Sequence, residues 1–166
     1  MIPLVSILLK NKTTEVIVSL VDNLEPLFKT IGEVLLIEKL IPAIINLASD
    51  KTWRIRLAVL NFIPKMASFV SKETFTQKIE QTLVQMLTDP VFTIREETAN
   101  ACVTLSKSVF DRQWLAGLVD RKVDELGDSE RFMIRIQTVH FMSRMHSEID
   151  DELLNTKFTT TLFKLM

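Results

Sequence analysis

The chain has 166 residues, 47% hydrophobic and 25% charged, with three Gly and five Pro, a composition that fits a folded helical protein and excludes a disordered one. Its 20 basic and 21 acidic residues leave a net charge of −1, so the strongly basic surface expected of a nucleic-acid binder is absent in aggregate. The one cysteine, Cys102, excludes an intrachain disulfide and fits a reducing compartment.

Residues 1–9 read as the tail of a helix, with Ile2, Leu4, Val5, Leu8 and Leu9 apolar. The polar turn Lys10–Thr14 follows, then a helix over 15–31 with Val16, Leu20, Leu24, Leu27 and Ile31 on one face. Gly32 is expected to end that helix in the left-handed conformation. Leu36, Leu40, Ile44 and Leu47 recur at helical spacing, and Pro42 among them predicts a kink, because it removes a hydrogen bond and its ring crowds the preceding turn.

Asp50-Lys51-Thr52-Trp53-Arg54-Ile55-Arg56 then reads as a turn opening a second helix, about 53–69, with Ile55, Ala58, Val59, Phe62, Ile63, Met66 and Phe69 inward. Pro64 should bend that helix or weaken its last turn. The skeleton recurs: Asp50 and Asp89, Ile55 and Ile94, and Arg56 and Arg95 all stand 39 residues apart. A period near 40 with two apolar helices per unit marks a HEAT or armadillo type array. The third repeat places helices over 73–88 and 93–109, with Ile79, Leu83, Met86 and Leu87 inward in the first and Ile94, Thr98, Ala101, Cys102, Leu105 and Val109 in the second.

The fourth repeat begins near Asp111, its first helix ends at Leu126-Gly127, and its second runs over 130–147. Asp128 is 39 past Asp89, but Arg135 arrives one residue late, which assigns an extra residue to the turn Ser129–Met133. Asp150–Met166 starts a fifth unit. The expected fold is all-α, a solenoid of antiparallel helix pairs with repeats about 1–32, 33–71, 72–110, 111–149 and a partial 150–166. Apolar residues at both ends, Ile2–Leu9 and Leu162, Phe163, Leu165 and Met166, are expected to be uncapped, as in a piece of a longer array whose open ends self-associate. No apolar stretch reaches the roughly 20 residues of a membrane span, and no basic region precedes the first apolar segment as in a secretory signal. The expected setting is the cytoplasm, with the nucleus open as well.

Asp50 with Arg56, Asp89 with Arg95, and Asp128 with Arg135 invite a structural ladder in which the aspartate of one turn meets the arginine of the next repeat. Trp53 and Arg54, then Phe92 and Thr93, then Phe132 and Met133, lie in the turns and not on the stripes. Large aromatics and guanidinium groups dominate interface hot spots, which makes these the candidate partner contacts; the competing role is to tuck under the turn and close the helix pair. No catalytic group is expected. His140 and His146 are six apart, the wrong spacing for a shared metal, and Cys102 lies on an apolar stripe. No glycine-rich phosphate loop, HExxH or glycine-elbow serine occurs, so neither cofactor nor metal is expected.

Ile41-Pro42-Ala43-Ile44 leading to Leu47-Ala48 and then Asp50–Ala58 resembles a late HEAT repeat of the scaffold (A) subunits of protein phosphatase 2A. Ile94-Arg95-Glu96, Gly127-Asp128 and Ser147-Glu148 extend the resemblance along the chain. It implies a non-enzymatic scaffold whose turns hold the phosphatase catalytic subunit through Trp53 and Arg54 first, with regulatory subunits held by repeats absent here. Two other readings differ in their use of the surface. A HEAT-type transport or assembly factor would use the concave face, and a helical-repeat DNA glycosylase would need a basic groove that the net charge opposes.

Overall fold

A computed structural model describes residues 13–146, 148, 149 and 152–165. The expected first helix over 1–9 and Lys10–Lys12 of the first turn lie outside the described residues, as do Ser147, Asp150, Asp151 and Met166. The fold is all-α, of the helical-repeat class, and the chain divides into two compact units, the first ending at Met86 and the second beginning at Leu87. That boundary falls near the end of the first helix assigned to the third repeat, 73–88.

In the first unit, the helix expected over 15–31 is two helices, α1 (Thr14–Asp22) and α2 (Glu25–Thr30). Pro26 stands in the first turn of α2, where its missing N–H is harmless, but it could not continue an uninterrupted helix. The buried stripe is also rotated from the expected one. Ile17, Val21, Leu24 and Phe28 are inside, while Val16 is 39% exposed. Both stripes are apolar in sequence, and aromatic packing decides between them: the Phe28 ring meets Phe62 at 5.1 Å and Phe69 at 5.6 Å, both edge-on. Gly32 does not take the left-handed conformation, since no described residue has positive φ.

The next helical stretch is interrupted where proline requires it. Helix α3 (Glu33–Leu35) passes into a π-helical segment, Leu36–Leu40, and then into α4 (Ile41–Asn46). Ile41 N–H donates to the Leu36 carbonyl five residues back, and this widened turn relieves the crowding of the Pro42 ring against the preceding turn. A 3-10 turn, Leu47–Ser49, leads to α5 (Trp53–Ala67), which carries Pro64 inside and ends three residues later. Ile55, Ala58, Val59, Phe62, Ile63 and Met66 of α5 are buried as the spacing requires. Helices α6 (Lys72–Lys78) and α7 (Glu80–Gln85) bend at Ile79, φ −121°, yet the bonds Ile79 N–H to Phe75 O (2.8 Å) and Leu83 N–H to Ile79 O (3.1 Å) carry the helical ladder through the bend. A 3-10 turn over Met86–Thr88 follows.

The second unit holds α8 (Phe92–Ser108), α9 (Arg112–Gly127), α10 (Phe132–His146) and α11 (Glu152–Leu165). Asp111 caps α9 by accepting from Trp114 N–H at 2.8 Å. The second helices of the repeats, α8 and α10, pack side by side, and so do the first helices, α9 and α11, giving two layers. Between them lie Ile94, Cys102, Leu105, Leu118, Val119, Val123, Phe141 and Met145, all at most 5% exposed. Each such large side chain contributes about 1.5–3 kcal/mol on burial. Thr98 and Thr138 are fully buried at matching positions, and each hydroxyl donates to the carbonyl four residues back, Ile94 O at 2.6 Å and Ile134 O at 3.0 Å. Their polarity is thereby satisfied within one helix.

Candidate functional site: the repeated inter-helix turns

Three turns share one construction. In the first, Asp50 Oδ1 accepts from Thr52 N–H at 2.7 Å, which bends the backbone as an Asx turn. Arg56 Nη1 donates back to the carbonyls of Asp50 at 2.8 Å and Lys51 at 3.3 Å. In the second, Asp89 Oδ1 accepts from Val91 N–H at 2.8 Å, and Arg95 Nη1 donates to Asp89 O at 2.7 Å and Pro90 O at 3.1 Å. Those carbonyls belong to the linker and have no helical partner, so the guanidinium locks the chain into the helix that follows.

The third turn corrects the register read from sequence. Ser129, not Asp128, holds the aspartate's place: its Oγ accepts from Arg131 N–H at 3.3 Å, and Arg135 Nη1 donates to Ser129 O at 3.0 Å and Glu130 O at 3.2 Å. Asp128 instead caps the end of α9, with its N–H on Asp124 O at 2.9 Å. The turn Ser129–Arg135 therefore has the same length as Asp50–Arg56 and Asp89–Arg95, and the extra residue is absorbed at the end of α9. There α helix runs through Gly127, where earlier repeats end in 3-10 turns. Phe132 and Met133 are consequently in register with Phe92 and Thr93 and with Trp53 and Arg54. Counting six back from Arg135 finds Ser129 in the sequence; the identity of the residue hid it.

The arginines of the expected ladder serve their own turns in these contacts. Arg95 also reaches the next repeat, where its Nε donates to Gln137 Oε1 at 3.4 Å, so this inter-repeat link is made to an amide and not to a turn aspartate. Gln137, 1% exposed, was not singled out by the sequence. Its signal is positional only: it lies on the apolar side of α10 among Ile134, Thr138 and Phe141.

Each turn presents an aromatic outward. Trp53 is 40% exposed, Phe92 46% and Phe132 63%, with Met133 at 54%. Arg54 and Thr93 are exposed beside them. The Arg95 guanidinium carbon stands 5.6 Å from the Phe92 ring centre and that of Arg135 5.8 Å from Phe132, cation–π distances that hold each ring upright on its turn. Trp53 is matched instead by its neighbour Arg54, at 5.5 Å. In the second unit the turns of α8 and α10 flank a groove of about 280 Å³ lined by Asp89, Pro90, Arg95, Arg131, Phe132 and Met133. The aromatics neither vanish under the turns nor join the core.

Cys102 is buried in α8. His140 lies edge-on to Phe92 at 6.0 Å, and His146 Nδ1 is 2.9 Å from Asn155 Oδ1. Among the described residues no group of three or more His, Cys, Asp or Glu could hold a metal ion, and no helix is long and apolar enough to cross a membrane.

The profile of a helical-repeat family, PIK3R4-like, middle domain, matches residues 1–164. The chain belongs to this family. Among solved structures it is similar to the crystal structure of Cex1p, with a TM-score of 0.66 at 14% identity over 99% of this chain. The chain spans 35% of the length of that protein, and at this identity the likeness shows the helical-repeat fold alone. No curated protein matches the sequence. The resemblance to the phosphatase scaffold thus holds at the level of the helical repeat, in a chain of the PIK3R4-like middle-domain family.

Proposed function

We propose that this PIK3R4-like middle domain is a non-enzymatic scaffold that holds a partner protein against its inter-helix turns. The observation that carries the reading is the turn built three times: an arginine tied to two linker carbonyls, and beside it an aromatic 40–63% exposed. Packing alone would bury such rings, whereas a rigid, exposed aromatic next to a guanidinium suits a protein interface. A serine/threonine phosphatase catalytic subunit is the first partner to test, on the resemblance of Asp50–Ala58, with the cytoplasm as the working compartment. Regulatory subunits would then need repeats beyond these.

The test is capture of that catalytic subunit by the 166-residue chain, by a Trp53→Ala, Arg54→Ala variant and by a Phe132→Ala, Met133→Ala variant. Circular dichroism checks that all remain folded. Capture by wild type, lost in either variant, supports both the turn surface and the partner. Undiminished capture by both variants removes the turns from the interface. A folded wild type that captures nothing removes the phosphatase as partner.

A further inference from the structure

The exposed rings of the second unit are not held alike. Phe92, the first residue of α8, stands between two repeats. The Arg95 guanidinium carbon is 5.6 Å from its ring centre, and the His140 ring on α10 meets it edge-on at 6.0 Å. Phe92, His140 and Gln137 line a groove of about 250 Å³ between α8 and α10, with Gln137 at its floor. Phe132 has a guanidinium too, that of Arg135 at 5.8 Å, but among the described residues no second ring meets it.

Arg95 is in turn held from two repeats. Its Nη1 donates to Asp89 O at 2.7 Å and Pro90 O at 3.1 Å in its own turn, and its Nε donates to Gln137 Oε1 of the next repeat at 3.4 Å. A guanidinium is planar and rigid, so bonds from two of its nitrogens fix its plane as well as its position. Arg135 bonds through Nη1 alone among the described residues, to Ser129 O and Glu130 O, and its plane has no second anchor. The attraction between cation and ring depends on the cation standing over the ring face, so whatever sets the plane of Arg95 also sets the tilt of Phe92. Gln137 is 1% exposed and acts on anything outside only through Arg95 and Phe92.

We infer that Gln137 is a positioning residue of the turn surface: from the next repeat it fixes the plane of Arg95, and with His140 it sets the tilt at which Phe92 is presented. The consequence, which rests on the turns as a partner site, is that the spacing of α8 and α10 tunes what the second turn holds. The position of Phe92 is read in the free 166-residue chain by proton–nitrogen and aromatic proton–carbon correlation spectra, and by cross-relaxation between the Phe92 and His140 rings. Gln137→Met is close in volume but lacks the acceptor. It should shift the Arg95 Nε–H, speed its exchange with water about tenfold and weaken the Phe92–His140 cross-peak, with the Phe132 ring unmoved. Gln137→Glu keeps an acceptor oxygen and should restore all three. His140→Ala, an exposed substitution, should shift the Phe92 ring and leave the Arg95 Nε–H in place. In the capture assay Gln137→Met should weaken binding about fivefold, and Gln137→Glu should not. A Phe92 ring that keeps its signals and its cross-peak in Gln137→Met overturns the positioning, and unchanged capture by that variant overturns the consequence. A folded wild type that captures nothing counts against the phosphatase, while the spectra of the free chain still decide how Phe92 is held.

Discussion

The turns before α8 and α10 perform the same task with different chemistry. Before α8 a carboxylate and a buried guanidinium, Arg95 at 3% exposure, clamp the linker with bonds of 2.7–3.1 Å. Before α10 a hydroxyl replaces the carboxylate, Arg135 is only half-buried, and the bonds lengthen to 3.0–3.3 Å. Ionised acceptors make shorter and stronger hydrogen bonds than neutral ones. The ring on the tighter turn also meets His140 of the next repeat at 6.0 Å, whereas Phe132 stands 63% exposed. What the two turns share, a backbone N–H held two residues on and an arginine folded back six residues, is what the repeat requires. Charge and burial set how firmly it is held.

The sharpest way to break this comparison is to remove each arginine in turn. Arg95→Met strips donors from Asp89 O, Pro90 O and Gln137 Oε1 in a buried site and should cost about 3 kcal/mol, whereas Arg135→Met should cost about 1 kcal/mol. Urea unfolding measures both, and equal losses would mean that burial does not distinguish the turns. The acceptors offer the next contrast. Asp89→Ala should cost about 2 kcal/mol and Ser129→Ala about 0.5 kcal/mol, while Ser129→Asp should raise the melting temperature by giving the looser turn the tighter one's acceptor.

Where the extra residue was absorbed, a Cβ on Gly127 would come within 3.1 Å of Thr161 Cγ2 on α11. Gly127→Ala should therefore lower stability by about 1 kcal/mol through overpacking, and Thr161→Ser should recover part of the loss. A stabilised Gly127→Ala would show that α11 yields there at no cost. The smallest effect concerns the same pair of helices. Lys157 Nζ donates to Asp120 Oδ1 at 2.8 Å and pairs with Asp124 Oδ2 at 3.0 Å. Burial pulls the Lys157 pKa down, but the hydrogen bonds to Asp120 and Asp124 outweigh it and hold it above the ordinary lysine value. A raised folded-state pKa means that the contribution is whole below about pH 10.4 and fades as pH climbs through the folded value. It should amount to less than about 1 kcal/mol. Unfolding at pH 9 and pH 11 should show this slope in wild type and lose it in Lys157→Met.

The recurrence of Asp50 at Asp89, and of Arg56 at Arg95, marks the turns and the helix pairs in the sequence itself, because a turn's chemistry is settled among seven consecutive residues. The apolar stripes of α5 and α8 were equally legible, since a 3.6-residue period needs no knowledge of the neighbour. Where two stripes were available, in α1, periodicity could not choose, and Phe28 lodged against Phe62 and Phe69 made the choice. The same holds for the site. Trp53, Phe92 and Phe132 announced themselves as aromatics outside the stripes, and the structure places them exposed on the turns.

Gln137 gave no such sign. An amide on a buried helix face has no local meaning until Arg95, 42 residues earlier, is brought to 3.4 Å from it. The sequence by itself determined the helices, the period and the turns, all of which are short-range agreements between neighbouring residues. The tertiary structure alone decided which stripe of α1 is buried and that Gln137 lies at the floor of a groove. Each of those depends on which distant side chain occupies the space.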